Sequence, residues 1–305
     1  MTVVEVGPRD GLQSVARPMS TPDKLRWIDA LVAAGVTHIQ VGSFVSPRAL
    51  PQMADCAEVV RHALGVPGLR VSVLAPNLRY ARAAFEAGVN ALTVPVSVSE
   101  PHSIANVRRT HDEALEDVRA IVALRDAEYR ETEVEVGLAT AFGCTIQGVV
   151  PEDDVLRIAR GVADCGVDAI HPADTVGFAG PAQVRRLLRR LREELGELCA
   201  SLHLHDTRGQ GLANVVAALD LGIRSFDSSH AGLGGCPYAP GATGNIVTED
   251  LVFLLESMGL RTGIDIDALV EARAVLAQGL PGVELRGHLA AAGLPKGFVP
   301  ATAAA

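Results

Sequence analysis

Eight short β-rich runs recur along the 305-residue chain, and Ala- and Leu-rich segments with helical periodicity separate them. Repeated alternation of strand and helix is typical of a parallel sheet, and eight such units are enough to close a (β/α)₈ TIM barrel. An open doubly wound sheet is the alternative, although no glycine-rich dinucleotide turn follows the first run. The predicted strands are residues 3–6, 38–42, 70–74, 91–96, 133–139, 168–172, 200–205 and 225–229.

The helical segments between these runs carry recognisable ends. Residues 21–35 have Thr21 as the predicted N-cap and Pro22 in the first turn, and they stop at Gly35. Residues 77–88 and 152–166 repeat this plan, each ending in Gly before the next strand. We therefore predict one α/β barrel domain over residues 1–293, with additional C-terminal helices from about 246 to 292. Residues 294–305 are expected to form a flexible tail.

Composition narrows the possible partners and location. A formal net charge of -9 disfavours a nucleic-acid partner, because phosphate binding needs a basic surface. No apolar run reaches the ~20 residues that span a bilayer, so no membrane partner is expected. The five cysteines form no CxxC pair, and an odd count without a secretory leader suggests reduced thiols. We therefore expect a cytoplasmic protein.

The stretch ASLHLHDTRGQGLAN (200–214) places His203 and His205 two residues apart on a predicted strand. Alternate strand residues point to the same face, so both imidazoles could aim at one cation or could be hydrogen-bonded core histidines. In a barrel, functional groups collect at the carboxyl ends of the strands. The polar residues placed there are Arg9, Asp10, Gln40, Ser43, Asn77, His171, Asp174, His203, His205, Asp206, Ser228, Ser229 and His230.

Four long motifs, in matching order, give the chain a family resemblance. They are VEVGPRDGLQ (4–13), GSFVSPRALPQMAD (42–55), LHLHDTRGQGLAN (202–214) and AGLGGCPYAPGATGNIVTEDLV (231–252). Together they resemble 3-hydroxy-3-methylglutaryl-CoA lyases, which belong to the metal-dependent aldol/Claisen barrels with an Arg-Asp motif on the first strand. The resemblance extends from about residue 3 to residue 293.

The resemblance implies a divalent ion, Mg²⁺ or Mn²⁺, held by Asp10, His203, His205 and Asn245. One carboxylate, two imidazoles and an amide oxygen also form a mixed N/O ligand set with room for substrate oxygens. Arg9 would stabilise a developing enolate oxygen, since its guanidinium is planar and cationic. By resemblance His203 and Cys236 take part in proton transfer, and the Gly-rich loop around Cys236 closes over the substrate.

Further roles are expected around the predicted metal. Gln40 and Asp174 are assigned to the catalytic group, with Asp174 organising water or the Arg9 side chain. Asp206 could orient the neighbouring histidines. The expected substrate contacts are Gln13, Ser43, Asn77, His102 and His171.

The chain departs from the family pattern at several lining positions. Gln40 and Gln147 stand where the lyases carry Glu, and His102 and His171 are additional. Loss of two carboxylates with a gain of histidine would make the pocket more positive. We therefore hypothesise a substrate that differs in charge or acyl carrier, poor cleavage of hydroxymethylglutaryl-CoA, and higher activity after Gln40→Glu.

The leading interpretation is a metal-dependent carbon-carbon lyase that cleaves a 3-hydroxy-3-methylglutaryl-CoA-like thioester to an acyl-CoA and a keto acid. One alternative is an aldolase or synthase acting on another 3-hydroxy acid, without CoA or in the condensation direction. Another is a catalytically silent ligand-binding homologue. The expected partners are a small-molecule substrate, an acyl-CoA or hydroxy acid, and a second copy of the chain in a homodimer.

Overall fold

Eight parallel strands close into a barrel in the computed structural model, which describes residues 1–199, 201–234 and 244–303. The first strand pairs with both the second and the last, so the sheet has no open edge and the doubly wound alternative is wrong. The strands are β1 (Thr2–Glu5), β2 (His38–Ser43), β3 (Arg70–Leu74), β4 (Ala91–Ser97), β5 (Glu133–Ala139), β6 (Ala169–Asp174), β7 (Ser201–Leu204) and β8 (Ser225–Ser228).

Helices cover the outside of the barrel and follow the strands along the chain. The barrel helices are α1 (Thr21–Ala33), α2 (Cys56–Leu64), α3 (Leu78–Glu86), α4 (Glu100–Val107), α5 (His111–Glu128), α6 (Glu152–Ala163), α7 (Pro181–Leu195) and α8 (Gly211–Leu219). After β8 come α9 (Thr248–Ser257), α10 (Ile266–Gly279) and α11 (His288–Ala292). Within the described ranges, no helix combines the length and apolarity needed to cross a bilayer.

The start of α1 differs from the expectation by one residue. Ser20, in extended conformation, is the N-cap, and its hydroxyl accepts a hydrogen bond from the amide of Asp23. Thr21 is already helical, and its hydroxyl instead donates to Asp55 of the segment before α2 at 2.8 Å. At the other end Gly35 has a φ of +95°, a conformation that favours glycine, so the predicted stop is confirmed.

The apolar core lies between the barrel and its helices rather than on the barrel axis. Outward-facing strand residues such as Ile39, Val71, Leu92 and Phe226 are fully buried against the helical layer. The inward-facing positions hold mostly small and polar side chains, and these border an open cavity. The fold therefore presents its polar residues to the axis, below the mouth where catalytic groups of such barrels lie.

The segment beyond α11 contacts the body of the domain. The ring of Phe298 lies 5.1 Å from that of Phe253 on α9, measured between centroids. The amide and hydroxyl of Thr302 donate to the Glu256 carboxylate at 2.7 and 2.6 Å. Part of the stretch expected to be a flexible tail is therefore packed against α9.

Candidate functional site

A five-residue π-helical turn, Gly7–Gly11, carries the Arg-Asp pair from the end of β1 over the mouth of the barrel. The carbonyl of Val6 accepts from the amides of Arg9 and Asp10, at 3.1 and 2.7 Å. Glu5 anchors the start of the turn by accepting from the amide of Gly7 at 2.7 Å. Both Arg9 and Asp10 are buried, so the turn holds a charged pair away from bulk solvent.

The two histidines of β7 and its end meet Asp10 at this mouth. Asp10 Oδ2 lies 3.7 Å from Nε2 of His205 and 4.0 Å from Nε2 of His203. One ligand atom from each of the three residues falls within 4.8 Å of the others. Asn245 joins them because its amide nitrogen donates to Asp10 Oδ2 at 2.6 Å. The four predicted ligand positions are therefore brought together.

Unpartnered polar atoms test whether this group fits a cation. Oδ1 of Asn245 and Nδ1 of His205 are both buried and form no hydrogen bond. A buried polar atom left unpaired is unfavourable by about 1–3 kcal/mol, so the site as it stands lacks a partner. Carboxylate, imidazole and amide donors without a thiolate are suited to Mg²⁺ or Mn²⁺ rather than to structural zinc. The residues present fit a divalent cation.

Positive groups stabilise the charge of Asp10. Burial alone would raise the pKa of this carboxyl, but Arg9 and both histidines together hold the pKa well below its usual value. Nη1 of Arg9 donates to Oδ1 at 2.5 Å, and Nε2 of Gln13 donates to the same oxygen at 2.7 Å. Asp10 is thus an ionised carboxylate fixed by three donors when Asn245 is included.

Asp227 on β8 orients His203, a contact that the sequence interpretation missed. Its Oδ2 lies 2.9 Å from Nδ1 of His203. Burial lowers the pKa of His203, but the hydrogen bond and charge of Asp227 outweigh burial and leave that pKa raised. Burial would raise the pKa of Asp227, yet His203 leaves it lowered. An acidic residue inside the predicted strand SFDSS was the available signal.

Asp206 does not have the orienting role expected of it. Its Oδ1 accepts from the amide of Gly211 at 2.7 Å and so fixes the start of α8. The reason is the strand alternation that brings His203 and His205 to one face, because their immediate neighbour points elsewhere. His230 is likewise structural: fully buried, its Nδ1 accepts from the indole of Trp27 at 3.0 Å.

Gln40 holds Arg9 through a different guanidinium nitrogen from the one that binds Asp10. Its Oε1 accepts from Nε of Arg9, and its Nε2 donates to the hydroxyl of Thr93 at 3.0 Å. Gln40 lies in the middle of β2 rather than at its end, and it faces the axis. Gln147, the second position where the family carries Glu, is exposed on the loop after β5 and does not line the cavity. Only Gln40, of these two, can alter the charge of the pocket.

A cavity of about 1010 Å³ opens beside the metal ligands. All five residues expected to contact substrate line it: Gln13, Ser43, Asn77, His102 and His171. Ser43 reaches the cavity because the register of β2 on β3 shifts between Gln40 and Gly42, which changes the alternation. The sequence pattern alone did not reveal this bulge.

Three of these lining residues also have structural partners. Oδ1 of Asn77 caps α3 by accepting from the amide of Tyr80 at 3.3 Å. Nδ1 of His102 lies 2.8 Å from the hydroxyl of Ser97, and burial lowers the pKa of this histidine. Nε2 of His171 lies 3.9 Å from the Glu135 carboxylate. The lining therefore includes an acid, Glu135, that the sequence interpretation did not single out.

Asp174 ends β6 as expected, but its hydrogen bonds go to backbone amides. Its carboxylate accepts from the amides of Phe178 and Ala179, at 2.8 and 3.0 Å, and its pKa is raised mainly by burial. These bonds shape the loop after β6, and Asp174 is not among the residues that border the cavity. It organises backbone rather than the Arg9 side chain. Cys236 lies outside the described residues.

Together, a closed (β/α)₈ barrel and an Asp-His-His-Asn cluster at the carboxyl ends of its strands define a barrel enzyme with a candidate divalent-cation site. Comparison with known proteins gives the family. Residues 1–276 match the HMGL-like family model, and the chain belongs to this family.

Relatives with assigned names agree with this membership. The chain is 42% identical over 270 residues to the 3-hydroxy-3-isohexenylglutaryl-CoA/hydroxy-methylglutaryl-CoA lyase of Pseudomonas aeruginosa, covering 88% of this chain and 89% of the relative. It is 38% identical over 272 residues to a hydroxymethylglutaryl-CoA lyase of Bacillus subtilis, covering 89% and 90%. Among solved structures, an HMG-CoA lyase from Acinetobacter baumannii in complex with coenzyme A and 3-methylmalate superposes with a TM-score of 0.91 at 38% identity. That superposition covers 98% of this chain and 97% of the other.

Proposed function

We propose that the chain is a divalent-metal-dependent carbon-carbon lyase that cleaves a 3-hydroxy-3-methylglutaryl-CoA-like thioester to an acyl-CoA and a keto acid. The observation that supports this most is the meeting of Asp10, His203, His205 and Asn245 at the mouth of a deep cavity. The family membership and the named lyases among the relatives agree with it.

We propose Mg²⁺ or Mn²⁺ as the ion, with these four residues as ligands. When bound, the ion supplies Lewis-acid polarisation of the substrate oxygens. Arg9, Gln13 and Asn245 fix the carboxylate of Asp10, so the ligand set is ordered by the chain itself. Ordered ligands reduce the reorganisation needed when the substrate arrives.

The bond-breaking step follows from the positions of His203 and Arg9. With Asp227 accepting from Nδ1, Nε2 of His203 has one lone pair, which would serve as a ligand of the ion before the step and would take the proton of the C3 hydroxyl during it. As that proton leaves, a carbonyl forms at C3, the C2–C3 bond breaks, and its electron pair moves into the thioester enolate. Arg9 faces the same cavity and donates to the enolate oxygen.

The remaining assignments concern proton return and substrate contact. We propose that Cys236 returns the proton to C2. Gln40 is a positioning residue for Arg9, since its amide oxygen accepts from Nε of that side chain. Gln13, Ser43, Asn77, His102 and His171 line the cavity and are the proposed contacts of an acyl-CoA substrate. The homodimer and the cytoplasmic location stay predictions.

The two alternatives are less well supported. The named relatives are all lyases of CoA thioesters, and this disfavours an aldolase or synthase that acts without CoA. A silent homologue would have no need for four ligand residues that still meet, nor for unpaired buried atoms among them.

The test is cleavage of 3-hydroxy-3-methylglutaryl-CoA by the purified chain, with release of the keto acid and acyl-CoA measured separately. We expect activity with Mg²⁺ or Mn²⁺ and loss of activity with EDTA. His203→Gln should lower kcat by about 10²–10⁴-fold, the range of a lost acid–base group. His62→Gln, on the exposed face of α2, is the matched control and should retain full activity. Metal-independent activity, or equal activity of the two variants, would refute the proposal.

A further inference from the structure

The cavity continues below the metal site along the barrel axis. Barrels of this class are normally filled by layers of Val, Ile and Leu. Here the inward positions of the strands carry few bulky aliphatic side chains, mainly Val4 and Leu74. The cavity consequently reaches from the rim down to Thr2, Ser201 and Ser225 at the amino-terminal ends of their strands. We call the part below His203 the lower lumen.

Small residues keep the lower lumen open. Gly137 on β5 and Ala169 on β6 border it, and both are partly exposed although they lie within the barrel wall. A Cβ added at Gly137 would meet only a methyl group of Thr93, at 3.7 Å, which is an ordinary contact. From His203 to Ser201 the strand descends about 7 Å, so the lumen has the length of a chain of about five carbon-carbon bonds.

Hydrogen-bonding groups line the floor of the lower lumen. Nε2 of His38 lies 3.1 Å from the hydroxyl of Ser72, and burial lowers the pKa of this histidine to about 4, so the ring is neutral. Arg70 donates to Glu135 at 3.2 Å and to Glu133 at 2.6 Å. Ser201 borders the cavity, and its hydroxyl is buried and has no hydrogen-bond partner. The other groups are already paired, so a fully apolar occupant would leave only the hydroxyl of Ser201 without water or a partner.

The charges of the lower lumen also disfavour an anion. Arg70 borders the lumen and is paired with Glu135, which also borders it, and with Glu133, which is exposed outside it. Asp227 contributes a further carboxylate beneath His203. A carboxylate descending from the metal site would therefore meet more negative than positive charge. An uncharged hydroxyl or amide could hydrogen-bond to Ser201 without this repulsion.

We propose that the lower lumen is a subsite for the C3 substituent of the substrate, and that this substituent is longer than methyl and ends in an uncharged hydrogen-bonding group. The inference rests on the proposed lyase function, because it assigns the substituent on the carbon whose hydroxyl the metal site would activate. If the lower lumen holds this substituent, Gly137 and Ser201 determine the specificity for it.

The experiment compares 3-hydroxyglutaryl-CoA thioesters that differ at C3, with the intact chain and Mg²⁺ or Mn²⁺. The substituents are methyl, n-pentyl, 4-hydroxybutyl and 3-carboxypropyl. The n-pentyl and 4-hydroxybutyl groups have the same length and differ only in the terminal group, a methyl in one and a hydroxyl in the other. We expect kcat/KM for 4-hydroxybutyl to exceed that of each of the other three by about tenfold or more, as expected for a site with an unpaired polar group.

Substitutions in the lumen locate the effect. Gly137→Leu should lower kcat/KM for the 4-hydroxybutyl thioester by about tenfold or more and leave the methyl thioester within about threefold. Gly137→Ala adds only the tolerated Cβ and is the matched control, expected to change neither. If Gly137→Leu does not fold, Ser201→Ala serves, and it should remove the preference for 4-hydroxybutyl over n-pentyl.

The outcomes separate the two proposals. Cleavage of the methyl thioester together with no preference for 4-hydroxybutyl overturns the subsite and leaves the lyase function standing. The same holds if Gly137→Leu affects the methyl and 4-hydroxybutyl thioesters equally. Failure to cleave any of the four thioesters overturns the lyase function, and the subsite with it.

Discussion

Asp227 is the residue on which the imidazole of His203 depends most directly. Its carboxylate lies 2.9 Å from Nδ1 of the ring, and each of the two side chains is only 12% exposed, so the charge of Asp227 acts with little screening. Carboxylates in this position increase the basicity of a ligand histidine and fix its tautomer. The aspartate next to the histidines in sequence, Asp206, instead accepts from the amide of Gly211, the first residue of α8.

We therefore predict that Asp227→Asn weakens Mn²⁺ binding by about 10–100-fold, because the amide keeps the shape but loses the charge. Calorimetric titration of the purified variant with Mn²⁺ measures this independently of activity. Asp206→Asn is the matched control, since its amide oxygen can still accept from Gly211, and it should bind Mn²⁺ within about twofold of the parent. Equal losses in the two variants would contradict the assignment.

Glu5 gives a prediction on pH and stability. Burial raises its pKa to about 8, and hydrogen bonds from Thr248, His230 and Gly7 only partly oppose this. Because the folded pKa lies above the unfolded value near 4.5, the folded chain binds the extra proton between these two pH values. The contribution of Glu5 is therefore fully present below pH 4.5 and is lost as the pH rises toward 8.

Glu5→Gln should remove this pH dependence, since the amide does not ionise. The difference in free energy of unfolding, variant minus parent, should be larger at pH 8.5 than at pH 5 by about 1 kcal/mol or more. Urea denaturation at the two pH values measures it. A difference between the two proteins that stays constant across this range would show that Glu5 does not titrate there.

Single residues also show the limits of sequence reasoning at the site. Asp10, His203, His205 and Asn245 were recognisable because each belongs to a motif, and the structure brings them together. Asp227 and Glu135 belong to no motif, and only the closure of the barrel brings them beside His203 and His171. The loop contacts of Asp174 were not predictable, because position on a rim does not say whether a carboxylate faces the cavity or its own loop.

At the level of elements, the π-helical turn Gly7–Gly11 depends on close packing at its first residue. A Cβ at Gly7 would lie 2.5 Å from the Glu5 carboxylate and 2.9 Å from the ring of Trp27. Both neighbours are fully buried and have little room to move. A Cβ at position 7 would therefore displace the turn that carries Arg9 and Asp10 or one of these two neighbours.

Gly7→Ala should lower the free energy of unfolding by about 1–3 kcal/mol, the usual effect of overpacking, and should also lower kcat because the turn shifts Arg9 and Asp10. Thermal denaturation and the lyase assay measure the two effects. Gly180→Ala, where a Cβ meets nothing within 4 Å, is the control and should change both properties little. Wild-type stability and kcat in Gly7→Ala would refute this account of the turn.

Elements were largely predictable from sequence, and their exact ends were not. Each predicted strand run overlaps an observed strand, because a barrel strand is buried on its outer face and rich in β-branched residues. The capping residue of α1 was misplaced because Ser20 and Thr21 are both good N-caps, and only tertiary contact with Asp55 draws Thr21 away. The β2 bulge has no comparable signal in the chain.

For the whole molecule, closure of the sheet makes the metal site a meeting point of distant segments. Asp10 follows the first strand and Asn245 lies 235 residues later, yet their side chains are joined by a 2.6 Å hydrogen bond. Arg9 and Gln13 also bind Asp10, so its negative charge is compensated by groups of the chain. The barrel should therefore stay folded without the ion and gain stability when the ion binds.

Removal of the metal tests this coupling between site and fold. After EDTA treatment and dialysis we expect a native far-ultraviolet circular dichroism spectrum, no lyase activity and a lower Tm. Adding Mn²⁺ should raise Tm as its concentration increases. At a Mn²⁺ concentration of a hundred times Kd, the free energy of unfolding should rise by about 2.7 kcal/mol. Asn245→Ala should reduce this gain, because the amide ties the segment before α9 to Asp10. A Tm that does not respond to Mn²⁺ would mean that no ion binds among these four residues. Unfolding on chelation would mean that the chain's own hydrogen bonds cannot hold the carboxylate of Asp10 in place.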